Sequence, residues 1–320
     1  MRTLAIPNEA LYAPGGLAFN SSIVEFQGRV HLFYRYTFGP SGSTKIARCE
    51  LGDNLMPIPG TTRCVDIPTI HARVETIDDP RVLVIGDRLG MVHVQGRYCG
   101  RSRFATSVCV AMLDPGDGPH RSFLPRYGKN VNFGVSDKTL RVASEKNWTP
   151  FVRDGGLYLA YTLNPLEVLH YETQTGTVSL VSRSQFDQSF WRHGRFLAGG
   201  TPLLPRGDEY VGFFHSCTQL LPTRVTPRTY HVGYIAISKN PPHRVTRMSE
   251  RPLLTARPDR TRDLRRRKLY RRPNVVYPGG WIERNGEVVL SAGWQDCRCQ
   301  LYMFSWDEIL GNTRELATSR

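Results

Sequence analysis

Five repeats of one hairpin predict an all-β chain folded as a five-bladed β-propeller. Each copy is an apolar run, a polar turn and a second run rich in aromatics. The copies recur at intervals of roughly 50 to 75 residues, the length of a four-stranded blade. Composition does not change along most of the chain, so residues 1–320 are expected to form a single propeller domain without a linker.

The first copy is Ile23-Val24-Glu25-Phe26, a turn, and Val30-His31-Leu32-Phe33-Tyr34. The second runs Arg81-Val82-Leu83-Val84-Ile85, then Leu89 to Val94. Phe151-Val152 and Leu157 to Tyr161 flank Asp154-Gly155-Gly156, a turn-forming triplet. In the fourth copy Pro202-Leu203-Leu204 and Tyr210 to Phe214 flank Arg206-Gly207-Asp208. In the fifth, Asn285-Gly286 supplies a hairpin turn between Val275-Val276-Tyr277 and Val288 to Ser291.

Composition narrows the function. The apolar stretch Thr3 to Ile6 ends at Pro7 and is too short for a signal-peptide core or a membrane span, so a cytoplasmic location is expected. Seven cysteines without paired spacing fit reduced thiols, and Cys297-Arg298-Cys299 would need two more ligands to hold zinc. No metal or cofactor is expected. The net charge of +14 is half local: the connection from Arg257 to Arg272 carries nine basic residues against Asp259 and Asp263. Such a run is either a solvated loop or an anion-binding rim. Tyr270 is the only aromatic within it, which serves base stacking poorly and disfavours nucleic acid as a partner.

In a propeller the innermost strands line a central pocket, so polar residues beside each first apolar run become candidates. These are Asn20 and Arg35, Asp78-Asp79-Pro80-Arg81, Glu145-Lys146-Asn147 with Trp148, His215, and Asp296. Together they offer carboxylates, cations and amides, with Trp148 and Trp294 as surfaces for a sugar face. That is equipment for glycosyl transfer. Motifs of other chemistries, HExxH, the P-loop, GxGxxG and GxSxG, are absent. Tyr230 and His231 lie near His215, and a one-residue change of register would exchange which of them faces the pocket.

At these residues the sequence resembles the mannoside phosphorylase and β-mannosidase family, glycoside hydrolase family 130, from about Phe19 to about Ser305. Phe19-Asn20-Ser21-Ser22, Phe33-Tyr34-Arg35, Asp78-Asp79-Pro80-Arg81, Gly199-Gly200-Thr201-Pro202, Val276-Tyr277-Pro278-Gly279 and Gly293-Trp294-Gln295-Asp296 are similar to that family's blade signatures. The resemblance implies a five-bladed propeller with Asp79 as general acid. It implies Asn20, Arg35 and Asp296 as sugar contacts, with Asp78 and Arg81 of the acidic motif beside them; Trp148 is added to this substrate-binding group as the stacking surface noted above. Lys146 and Asn147 stand where the family's phosphorylases place an Arg-Asn pair for phosphate, and His215 matches its phosphate-side histidine. A further basic residue of the family falls on Leu197, with Arg195 close by; Tyr230 joins the same anion group. Glu145 is a candidate base.

The expected activity is an inverting, metal-independent cleavage of a β-mannoside-like bond by phosphorolysis or hydrolysis. Its partners would be a carbohydrate and inorganic phosphate. A glycosyltransferase using a sugar phosphate or nucleotide sugar fits the same residues, as does a non-catalytic propeller that binds an anionic glycan or nucleic acid.

Overall fold

Alternation of apolar and polar residues gives strands throughout, and tight turns fold them into meanders. In the computed structural model, residues 1–13, 16–38, 43–99, 103–113, 121–127, 145–194, 196–219, 228–257 and 274–316 are described. Three of the five predicted hairpins close through two residues with positive φ: Gln27-Gly28, Asp154-Gly155 and Asn285-Gly286. Turns of this hand match the right-handed twist of the strands they join.

The strands form five antiparallel meanders in chain order, consistent with five blades. The first is Ala18–Phe26, Arg29–Phe38, Ser43–Leu51 and Arg63–Cys64. The second is Thr76–Ile85, Arg88–Cys99, Arg103–Leu113 and Arg121–Phe123, joined to the first by a single parallel pair, Thr44 with Thr76. The third is Thr149–Arg153, Gly156–Leu163, Leu166–Tyr171 and Val178–Ser184. In the fourth the innermost position is split between Leu197–Gly199 and Leu204–Arg206, which both pair with Glu209–Thr218; Thr229–Ser238 and Val245–Ser249 follow.

The fifth meander takes its outer strand from the other end of the chain. Val276–Arg284, Glu287–Trp294 and Arg298–Ser305 are completed by Arg2–Ile6, paired from Arg2 with Met303 to Ile6 with Cys299. The apolar stretch Thr3 to Ile6 thus closes the ring. Full closure removes exposed strand edges, a hazard for association.

Apolar side chains fill the spaces between neighbouring meanders. One cluster joins the first and fifth (Ile23, Leu32, Ile282, Leu301), another the first and second (Phe33, Ile46, Val82, Met91), and a third the second and third (Val92, Val110, Leu159, Leu169). Phe151, Val168, Phe214 and Ile235 join the third to the fourth; Phe213, Tyr234, Val288 and Leu290 join the fourth to the fifth. Each large apolar side chain so buried contributes about 1.5–3 kcal/mol. Five interfaces in cyclic order are what a closed ring requires.

Candidate active site

Four of the five innermost strands are interrupted. Register shifts occur between Phe19 and Ser22, between Asp78 and Arg81, and between Pro278 and Gly280, while the fourth meander breaks at Gly200-Thr201-Pro202. Bulges re-aim side chains. Asn20 (φ 50°), Asp79 (φ 54°), Asn147 (φ 68°) and Asp296 (φ 52°) all sit in the left-handed region, where a non-glycine residue costs about 1–2 kcal/mol. Strain of this kind persists where the surroundings over-determine it, commonly at functional sites.

All four border one cavity of about 490 Å³. The cavity joins Asn20 and Arg35 of the first meander, Asp79 of the second, and Asp296 beside the fifth. Glu145, Lys146 and Asn147 enter it just ahead of the third, and Arg228, Tyr230 and His215 come from the fourth. Val275 and Tyr277 complete the wall. The order of meanders around the ring groups these residues: fifth, first and second are neighbours and supply Asp79 and Asp296, while third and fourth are neighbours and supply Lys146, Arg228 and His215, with Glu145 next to Lys146.

Arg35 is the hub of the carboxylate side. Its guanidinium lies 3.3 Å from Asp78, 3.3 Å from Asp79 and 3.7 Å from Asp296, and packs 4.1 Å over the Phe19 ring. Asp79 Oδ1 also accepts a hydrogen bond from Asn20 Nδ2 at 2.9 Å. Burial is the largest single effect on Asp79 and opposes its ionisation, but Arg35, Lys146, the Asn20 bond and Arg81 together outweigh it; the carboxyl is held below the usual carboxylate range. Asn20 itself is fixed by a close approach of backbone. A Cβ on Gly293 would collide with the Asn20 amide oxygen and lie 2.7 Å from its backbone nitrogen, so only glycine fits there.

Several expected sugar contacts have other duties. Trp148 is fully buried between the second and third meanders, with its Nε1 donating to Glu145, and no face of it is open to a sugar. Trp294 is half-buried against the core between the fourth and fifth. Arg81 is also fully buried and serves as a spoke beneath the pocket. Its Nε donates to Gly200 O at 2.6 Å, and its Nη2 to Asn147 Oδ1 at 3.0 Å and to the Tyr277 hydroxyl. Asp78 is buried behind Asp79, bonded by the Thr44 hydroxyl and paired with Arg35; it does not border the cavity. Glu145 reaches the cavity with its oxygens accepting from Trp148 Nε1 at 3.3 Å and the Tyr161 hydroxyl at 3.1 Å, an anchored position for a group expected as a base.

On the opposite side, His215, the residue matched to the phosphate-side histidine, is a neutral imidazole. Burial, reinforced by the Arg81 charge, lowers its pKa to about 3, against the opposing pull of Asp79 and the Gly199 backbone. The register pairs Cys217 with Tyr230 and Ser216 with His231. Tyr230 therefore shares the face of His215 and stacks on it, with ring centroids 5.7 Å apart at 14°. His231 occupies the other face, bonded to Thr218 and Thr255.

Sequence reasoning missed Arg228, Val275 and Tyr277 as pocket residues. Tyr277 was present in a quoted signature, whereas Arg228 follows Pro227 in a stretch with no motif. Lys146 and Arg228 are exposed in the pocket, and neither has an ion-pair partner among the described residues. Arg195 and the basic connection beyond Arg257 lie outside the described residues.

Carboxylates and the exposed cations Lys146 and Arg228 thus line one polar pocket in a ring of β-meanders, an arrangement that suits a carbohydrate-active enzyme. Residues 8–315 match the family model described as beta-1,4-mannooligosaccharide phosphorylase. The chain belongs to that family, glycoside hydrolase family 130. It is 29% identical over 163 residues to Beta-mannosyltransferase 1 of Komagataella phaffii, an alignment covering 42% of this chain and 22% of that protein. The match thus spans about a fifth of the curated relative's length. Among solved structures, a beta-1,2-mannobiose phosphorylase from Listeria innocua superposes with a TM-score of 0.62 at 14% identity, covering 98% of this chain and 99% of the other. A GDP-Man-dependent mannosyltransferase from Leishmania mexicana superposes with a TM-score of 0.57 at 10% identity, covering 96% and 90%. At such identities these likenesses concern the fold.

Proposed function

We propose that this chain moves a β-mannosyl group between a sugar hydroxyl and a phosphate group, in its simplest form the phosphorolysis of a β-mannoside by inorganic phosphate. One observation carries the reading: Lys146 and Arg228 are exposed in the pocket and make no close ion pair among the described residues, while Asp79 and Asp296 are paired with Arg35. Two cations left open in a pocket favour an anionic co-substrate over water.

Asn20, Arg35 and Asp296 would hold mannose hydroxyls on the carboxylate side. Lys146, Arg228, Asn147 and the neutral imidazole of His215 would hold phosphate opposite. A phosphate oxygen attacks the anomeric carbon as the bond to the glycosidic oxygen breaks, and inversion gives α-mannose 1-phosphate. Asp79 supplies the proton that the departing oxygen takes up. Asp79 is a carboxylate in the free pocket, since Arg35 and Lys146 hold it so. Phosphate arriving beside Lys146 offsets that charge and raises the proton affinity of Asp79, so acid and nucleophile are readied together.

A second reading, transfer from a nucleotide sugar, is favoured by the β-mannosyltransferase relative and uses the same cations for the leaving phosphate. Membership of an enzyme family weighs against a purely binding propeller. We take residues 1–320 as one catalytic domain. A cytoplasmic setting is part of this reading, and the free thiols of Cys49, Cys64, Cys109, Cys217, Cys297 and Cys299 suit a reducing compartment.

A thermal-shift screen against phosphate, mannose 1-phosphate and mannose- and glucose-bearing nucleotide sugars tests the choice, because a ligand of the folded state raises the melting temperature. Stabilisation by phosphate and mannose 1-phosphate supports phosphorolysis. Selective stabilisation by a nucleotide sugar replaces it with transfer.

A further inference from the structure

A cavity of about 730 Å³ lies between the second and third meanders and takes no part in the chemistry just described. It sits at the end of the ring away from the catalytic pocket. The strand Thr76–Ile85 leaves that pocket at Asp79 and reaches the cavity at Ile85, roughly 20 Å further on at the rise of a β-strand. The second meander supplies Ile85, Arg88, Met112, Arg121 and Phe123 to its lining. The third closes it with Thr173 and Gln174, from the turn between its last two strands.

Strand register explains why these side chains converge. Directly opposed residues share a face of a sheet, as do alternate residues along one strand. Ile85 opposes Arg88, Met112 opposes both Gly90 and Arg121, and Phe123 opposes Val110. All of them therefore lie on the face whose Val92 and Val110 pack against Leu159 and Leu169 of the third meander. Both arginines are thus directed into the junction between two blades. Gly90 makes room on that face, since a Cβ there would collide with the end of the Ile85 side chain. The opposite wall is a closed turn: Glu172 N donates to Thr177 O at 2.9 Å, and Gly176 N to Glu172 O at 2.8 Å. It rests on Phe123 through Gly176 (φ 73°), where a Cβ would lie 3.2 Å from the Phe123 Cβ.

We propose that this groove binds a small amphiphilic anion, an apolar chain or ring bearing one carboxylate or phosphate group, with the head held by Arg88 and Arg121. Charge and surface together select that chemistry. The described lining contains two arginines and no acidic residue. Asp87, 3.9 Å from Arg88 Nε, is almost fully solvated, and surface pairs of this kind contribute little. Guanidinium groups match the oxygens of carboxylates and phosphates. Ile85, Met112 and Phe123 give the apolar body a floor, with Met112 able to adapt to its shape. A free sugar would leave the arginines unused, and inorganic phosphate would leave the floor unused. The cavity has the volume of a small-molecule site.

Calorimetric titration of the full chain with decanoate, decyl phosphate and the neutral decyl maltoside tests this without reference to turnover. At least one of the two anions should bind with one-to-one stoichiometry, at least roughly tenfold more tightly than the maltoside, the scale of one charge-assisted hydrogen bond. The tighter anion identifies the head group. Arg88→Gln with Arg121→Gln should abolish the preference for the anion; both side chains are exposed, so the fold is retained. Lys146→Gln with Arg228→Gln, in the catalytic pocket, should leave it intact. Binding of neither anion, equal binding of the maltoside, a preference that survives loss of Arg88 and Arg121, or one lost with Lys146 and Arg228 each overturns the groove. None of these outcomes bears on the mannoside reading.

Discussion

Arg35 and Asp79, from adjacent meanders, approach to 3.3 Å at the carboxylate edge of the pocket, and the same guanidinium also serves Asp78 and Asp296. One cation thereby holds three carboxylates in a largely buried setting. Replacing Arg35 by Met should destabilise the protein by about 3–5 kcal/mol, because removing one partner leaves buried charge uncompensated. The midpoint of urea unfolding reads this loss. It should be largest above pH 4 and shrink in acid, where the carboxylates protonate without needing the partner.

The phosphate side should respond separately from the sugar side. Lys146→Gln and Arg228→Gln should each raise KM for phosphate by roughly tenfold, the scale of one charge-assisted hydrogen bond. KM for the mannoside should change little. Steady-state kinetics with each substrate varied in turn distinguishes this from a general loss of the site.

Anion binding should carry a proton with it. Asp79 is held below the usual carboxylate range by Arg35 and Lys146 against the effect of burial, so an anion beside Lys146 raises its pKa. In the window between the free and occupied values the protein takes up a proton on binding, and affinity increases as pH falls. Sulfate, a dianion throughout this range, serves as the probe. Titration across the acidic range in buffers of different ionisation enthalpy should show net uptake in the wild type that Asp79→Asn lacks. By the same sign rule, Asp79 contributes stability above the usual carboxylate pKa that is lost as pH falls through its lower, folded value.

Gly293→Ala should impair the site from behind. The added Cβ meets the Asn20 amide and backbone nitrogen, so Asn20 must move and its bond to Asp79 is lost. Activity should fall by at least tenfold with a circular dichroism spectrum unchanged. Wild-type activity in this variant would mean that the placement of Asn20 does not matter.

Much of this was legible locally. The five hairpins follow from alternation and turn residues, and Asn20-Ser21-Ser22, Asp78-Asp79-Pro80 and Gly200-Thr201-Pro202 mark the breaks where the innermost strands turn side chains to the pocket. What local pattern cannot carry is partnership across the ring. Arg2–Ile6 is a strand because Arg298–Ser305 lies beside it, from the far end of the chain. Trp148 is withdrawn from the sugar because the second meander packs over it, and His215 is neutral because the surrounding meanders bury it, with Arg81 from another blade adding to the effect. Arg228 gains its meaning only when the strand through Tyr230 lies beside the one bearing His215.

Product analysis bears most directly on the central claim. The protein is incubated with β-mannobiose or a longer β-mannoside and inorganic phosphate, and the mixture is followed by phosphorus NMR. The account predicts α-mannose 1-phosphate forming at a rate that saturates with phosphate, and falling at least roughly a hundredfold in Asp79→Asn, as expected for loss of a general acid. Release of free mannose at a rate indifferent to phosphate, or turnover only when a nucleotide sugar is supplied, would contradict it.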